Sequence, residues 1–280
     1  MKSKMLRMTL VFLLIIPGVR LFSQDTYLLK YNFEKGKSFV QNTRITQNMV
    51  QSMGGQEIKF ITELNASTSL LVEHVEDDGK ATILFSTGNI SMHSIAMGRD
   101  TTLTYKDLKD KVRITLDNTG KSLSTEKVDS SDIAAIVNQI DIGKLRFIPG
   151  KTVKIGEKWQ DHAVNIRQPS SGNPFTVEVG SDTEYTLEGK ETVNGKELLK
   201  VTYTGNMSIS GKGTQMGMDM VLEGTGKNEG FSYYDPGVNL IISTEETAEM
   251  EINVAVSGPS SMTIPMTQSV KSVITLEERK

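Results

Sequence analysis

Cysteine is missing altogether, and of 280 residues only three are histidine and one is tryptophan. Disulfides, thiolate nucleophiles and cysteine-containing zinc sites are therefore excluded together. His74, His93 and His162 are widely spaced, and none lies in an HxH or HExxH arrangement. No G-x-S-x-G nucleophile elbow occurs. The stretch GKGTQMG at 211–217 lacks the G-K-[ST] ending of a phosphate loop. Beyond Ile16 no apolar run approaches the roughly 20 residues that a membrane-spanning helix needs. Aromatics amount to 6%, and outward strand positions lack aromatic girdles, which argues against a transmembrane barrel. Neither a metal nor any other cofactor is expected.

The chain starts with Lys2, Lys4 and Arg7, an apolar run from Met8 to Ile16, Pro17-Gly18 and a small residue at Ser23. This is the pattern of a secretory signal peptide over residues 1–23. No cysteine follows for lipid attachment. Its removal takes four basic residues and no acid, so the formal charge falls from −3 to −7. An acidic surface speaks against nucleic acid as a partner, because phosphates need a basic face. The expectation is a product exported to the periplasm or the exterior, with no transmembrane segment once the leader is removed.

Period-2 patterning dominates what remains. Ile58, Phe60, Leu64, Ala66, Leu70 and Val72 share one phase, with Lys59, Glu63, Asn65, Ser67 and Ser69 in the other, the signature of a long strand with one dry face. Turn signals at EDDGK, Asn118-Thr119-Gly120 and Asn194-Gly195 separate such runs into hairpins. Leu240, Ile242, Ala248, Met250, Ile252, Val254 and Val256, then Met262, Ile264, Met266, Val270, Ile274 and Leu276, continue the pattern. One stretch has helical spacing instead: Ile133, Ile136, Val137 and Ile140, capped by Ser130 or Ser131 and closed by Gly143. The expected fold is mainly β, with long curved antiparallel sheets forming a sandwich or half-barrel and one covering helix at 131–142. The chain restarts after Pro149-Gly150, and Gly36-Lys-Ser-Phe39 recurs as Gly156-Glu-Lys-Trp159. Two lobes are thus expected, 24–148 and 149–280.

Methionine is the unusual component, with eleven after residue 23. It fills irregular cores and also lines permissive apolar pockets. The chain resembles a group of uncharacterised secreted proteins of Bacteroidetes type, through YNFEKGKSF near the start, 149–159 (PGKTVKIGEKW) in the middle, and 230–237 (GFSYYDPG) before a long strand. It is more distantly similar in layout to periplasmic lipoprotein-carrier and lipid-binding folds. What the resemblance implies is a domain of unknown function. The leading expectation is a non-enzymatic envelope protein binding a lipid, acyl chain or other apolar small molecule, at a site formed by Trp159, Met207, Met218, Met220, Met250 and Met262. Two alternatives stand beside it. One is a protein-interaction or structural module of the envelope, with an envelope protein as partner. The other is a hydrolase, which a polar pocket gathering His93 or His162 with carboxylates would indicate.

Overall fold

The computed structural model describes residues 25–106, 108, 110–129, 145–167, 175–215, 217–258 and 261–279. In chain order the strands are β1 (Thr26–Leu29), β2 (Ser38–Met53), β3 (Gln56–Val75), β4 (Ala81–Ala96), β5 (Arg99–Tyr105), β6 (Lys111–Leu116) and β7 (Ser122–Asp129). There follow β8 (Lys151–Lys154), β9 (Lys158–Arg167), β10 (Phe175–Val193), β11 (Lys196–Gln215), β12 (Met218–Asp235), β13 (Leu240–Val256) and β14 (Met262–Glu278). No helix occurs among the described residues, so over them the expected β fold with a covering helix is corrected to an all-β arrangement. The segment 131–142 and the leader 1–23 lie outside the described residues.

Twelve strands form one antiparallel sheet in the order β7-β6-β4-β3-β2-β14-β13-β12-β11-β10-β9, with β5 paired to the far half of β4. The sandwich expectation is corrected with it. β2 pairs β14 from Phe39↔Glu278 to Gln51↔Met266, so strands of both halves of the chain lie on one hydrogen-bonded path. Tight turns set the registers. Asn194 and Gly195 have φ of 52° and 77°, and Met97 and Gly98 have 51° and 76°, the paired positive values of a type I′ hairpin turn.

A sheet this wide cannot leave its apolar face wet, and strand twist lets it curl. It curls around the separate ribbon formed by β1 and β8, paired Thr26↔Lys154 to Leu29↔Lys151. Leu29, Ile148 and Val153 are fully buried there, against Phe39, Leu70, Val72, Ile83 and Phe85 from one side and Trp159, Tyr185, Leu187, Leu199 and Tyr203 from the other. Backbone bonds tie the ribbon's flanks to both: Tyr31 N–H donates to Asn118 O at 2.8 Å, Ile148 N–H to Thr119 O at 3.0 Å, and Asn32 N–H to Asn239 O at 3.3 Å. Gly36 and Gly156 open β2 and β9 alike. Each donates its N–H across the sheet, to Val72 O at 2.9 Å and Leu187 O at 2.7 Å, and each delivers an aromatic three residues on, Phe39 and Trp159, to this same core.

Tyr234 joins the ribbon to the sheet, its hydroxyl donating to Lys30 O at 2.8 Å. Burial pushes this hydroxyl up to about 12 from an ordinary 10.0. Tyr31 and Tyr203 are driven upward by burial too. Because the folded value exceeds the unfolded one, the stabilisation from neutral Tyr234 is complete below pH about 10 and lost between about 10 and 12. Tyr234→Phe is expected to lower stability by about 1 kcal/mol at neutral pH and to flatten the alkaline decline. Denaturant unfolding followed across that window checks both.

Candidate functional site

The inward face near the ribbon carries an aromatic row built by register. Trp159 pairs with Tyr185, Tyr185 with Tyr203, and Tyr203 with Gly230. The Trp159 and Tyr185 rings stack at 5.7 Å and 6°, and Tyr185 meets Tyr203 at 5.5 Å and 45°. The Arg146 guanidinium lies 4.4 Å from the Tyr203 ring centroid, and its Nη2 donates to Glu246 Oε2 at 2.5 Å. Burial opposes the charge on Arg146, yet Glu246 and the two tyrosines hold it above its ordinary value. At the edge of the row Lys121, in the turn before β7, reaches Asp161 of β9 at 3.0 Å and covers the Phe147 ring at 4.7 Å. Among the described residues the indole N–H of Trp159 and Oδ1 of Asn228 are buried without a hydrogen-bond partner.

The six residues expected to form a site do not come together as one group. Met218, Met220 and Met250 pack half-buried around Ile252, Val254 and Val256, with Phe175, Ile209, Leu222 and Met266, at the far end of the inward face. Met207 shares a row with Gly226 and Met250. Met262 pairs with Val256 but is 46% exposed. Trp159 belongs to the core around the ribbon instead.

The outward face is polar and dips into two troughs. One, of about 860 Å³, gathers His162, Asp182, Glu184, Lys227, Glu229 and Glu249. His162 Nδ1 and Asp182 Oδ1 are 2.6 Å apart, but both side chains lie mostly in solvent, where such a pair contributes at most about 1 kcal/mol. Among the described residues no hydroxyl is bonded to His162, so base and nucleophile are not assembled. No group of three or more His, Cys, Asp or Glu among them is placed to hold a metal ion. His93 Nε2 meets Asp100 Oδ1 at 2.8 Å elsewhere on this face. The other trough, of about 490 Å³, is lined by Asn42, Arg44, Asn65, Ser67, Asn89 and Lys106 among others.

Among the described residues the ends of the sheet are β7 and β9, which meet through Lys121 and Asp161 without strand pairing. β7 carries Glu126, Lys127 and Asp129, charges that blunt an edge. β9 presents Val164 and Ile166 on its outward row, 50% and 60% exposed. Sequence alternation marked neither trough nor edge, because outward polar positions look alike wherever they fall; the uninterrupted VNI at 164–166 was the one available signal.

No family model and no curated protein matches the chain. Solved structures do. An outer-membrane channel from Pseudomonas putida F1 is 9% identical over 86% of this chain and 97% of that one, with a TM-score of 0.24. OccK7 (OpdD) of Pseudomonas aeruginosa is 9% identical over 88% and 100%, with a TM-score of 0.25. OccK2 (OpdF) of the same organism is 7% identical over 87% and 98%, with a TM-score of 0.24. The chain is thus matched to channel structures and not to a secreted Bacteroidetes-type family or to lipoprotein carriers, and that resemblance is corrected. The lipid- or acyl-chain-binding role, the periplasmic or extracellular localisation and the absence of a transmembrane segment are withdrawn with it. At these TM-scores the likeness carries neither a channel activity nor a way of meeting a bilayer. The outward rows hold Glu223, Glu229, Glu245, Glu249 and Glu251.

Proposed function

We propose that the protein is a non-catalytic interaction module of the cell envelope, accepting an extended segment of a partner protein along β9. The observation that carries this reading is the β9 edge. No described strand pairs with its outer side, it is ten residues long, and it displays Val164 and Ile166 at alternate positions without a guarding lysine, glutamate or proline between them. Unpaired edges of this kind recruit strands, with main-chain bonds supplying affinity and alternate side chains specificity. The complementary partner is an extended segment with apolar residues at every second position, laid antiparallel or parallel beside Val164 and Ile166.

A photoreactive residue placed at Val164 tests it in cells. A discrete adduct is expected with the extended segment of one envelope protein, and Ile166→Lys should abolish it while leaving stability within about 0.5 kcal/mol, as for other exposed sites. An adduct that survives Ile166→Lys, or none at all with the fold intact, contradicts the reading.

A further inference from the structure

The smaller trough is built by a β-bulge. Between the pairs Ala66↔Ile90 and Thr68↔Thr87 the register shifts, so that Gly88 and Asn89 oppose the single residue Ser67. The shift falls where β4 changes its second neighbour, pairing β6 over Ala81–Ser86 and β5 over Ile90–Ala96. Bulges re-aim side chains and sharpen local twist, and this one dents the outward face. Gly88 is needed for the dent, since a Cβ there would lie 2.8 Å from Ser67 Oγ and 3.1 Å from Ser67 O.

Bonds already made decide what the lining offers. Ser67 Oγ accepts the Asn89 N–H at 3.2 Å, which leaves its own hydroxyl hydrogen to donate. Asn65 Oδ1 accepts from Arg44 Nε at 3.2 Å, which holds the guanidinium beside the trough and leaves the Asn65 amide hydrogens free to give. Arg44 and Lys106 make no ion pair with any described residue. The lining therefore contains two cations, the amides of Asn42, Asn65 and Asn89, the hydroxyls of Ser67, Ser91, Thr104 and Thr275, and no carboxylate. In a chain with 34 acidic and 31 basic residues, this acid-free cluster of donors is the opposite of the trough around Asp182 and Glu229.

We propose that this trough binds a hydroxyl-rich anion, a sugar acid or a sugar phosphate. Arg44 and Lys106 take the carboxylate or phosphate by charge-assisted hydrogen bonds, and Asn42, Asn89 and Ser67 take the hydroxyls, which need donors and acceptors side by side. The site is open to solvent, so affinity is modest and falls with salt.

Calorimetric titration of the full chain with gluconate, glucose 6-phosphate, inorganic phosphate and glucose tests the assignment. Saturable binding of gluconate or glucose 6-phosphate is expected with Kd about 1 mM or tighter, the tighter of the two naming the anionic group. Inorganic phosphate should bind at least about fivefold more weakly, and glucose not detectably. Arg44→Gln combined with Lys106→Gln should weaken binding at least about tenfold, whereas Lys227→Gln in the other trough should leave it unchanged. Three results overturn the proposal: no saturable binding up to about 10 mM, equal affinity for bare phosphate, or indifference to the Arg44 and Lys106 changes.

Discussion

Gly230→Ala should destabilise the protein by about 3 kcal/mol, although it adds a single methyl group to the middle of a strand. Gly230 lies on the inward row between Tyr203 and Glu246. A Cβ at this position would sit 2.2 Å from Glu245 O and 2.6 Å from the Tyr203 hydroxyl oxygen. The first contact is with backbone held in the β12–β13 ladder, and the second with a ring pinned between Tyr185 and Arg146, so neither yields cheaply. Overpacking of a closed interior costs about 1–3 kcal/mol, and a backbone clash belongs at the upper end. Thr225→Ala, on the outward face of the same strand, should stay within about 0.5 kcal/mol of the parent. Denaturant unfolding of the two variants decides the matter, and equal midpoints would contradict the packing described.

Arg146→Ala should be as damaging, at about 3 kcal/mol. The change removes the cation over Tyr203 and leaves Glu246 inside without its partner. Breaking one member of a buried pair costs about 3–5 kcal/mol, and the partial solvent access of both side chains places this pair at the lower end. Adding Glu246→Ala to Arg146→Ala should recover part of the loss, because the unpaired carboxylate is then gone. A coupling of about 1–3 kcal/mol in the double-mutant cycle is expected; strict additivity would show that the two side chains act independently.

Alternation read from the residues placed the face of β13 well: Ala248, Ile252, Val254 and Val256 are buried as their phase implies. Phase does not say which strand lies beside which. The β2–β14 pairing joins residues more than 200 positions apart, and nothing local distinguishes one continuous sheet from two. Trp159 and the methionines do share an inward face, but they lie at different distances along the strands, so they fall into separate clusters. His74 sits in an apolar phase by counting, yet the register shift between Val72 and His74 leaves it exposed. The bulge at Ser67 is hidden in the same way, since one extra residue in a partner strand leaves no mark in composition. The open edge was legible only as VNI at 164–166, because exposure depends on which strands fail to arrive.

Among the described strands β9 has a neighbour on one side alone, which leaves its other edge unpaired. Amide hydrogen exchange of the isolated protein measures this directly, since every second N–H of an edge strand points away from its only neighbour. Alternation is expected along Lys158–Arg167, with the amides facing β10 protected and those between them exchanging fast until a partner strand is added. Uniform strong protection of all these amides in the protein alone would mean that the edge is already covered, and would contradict the claim.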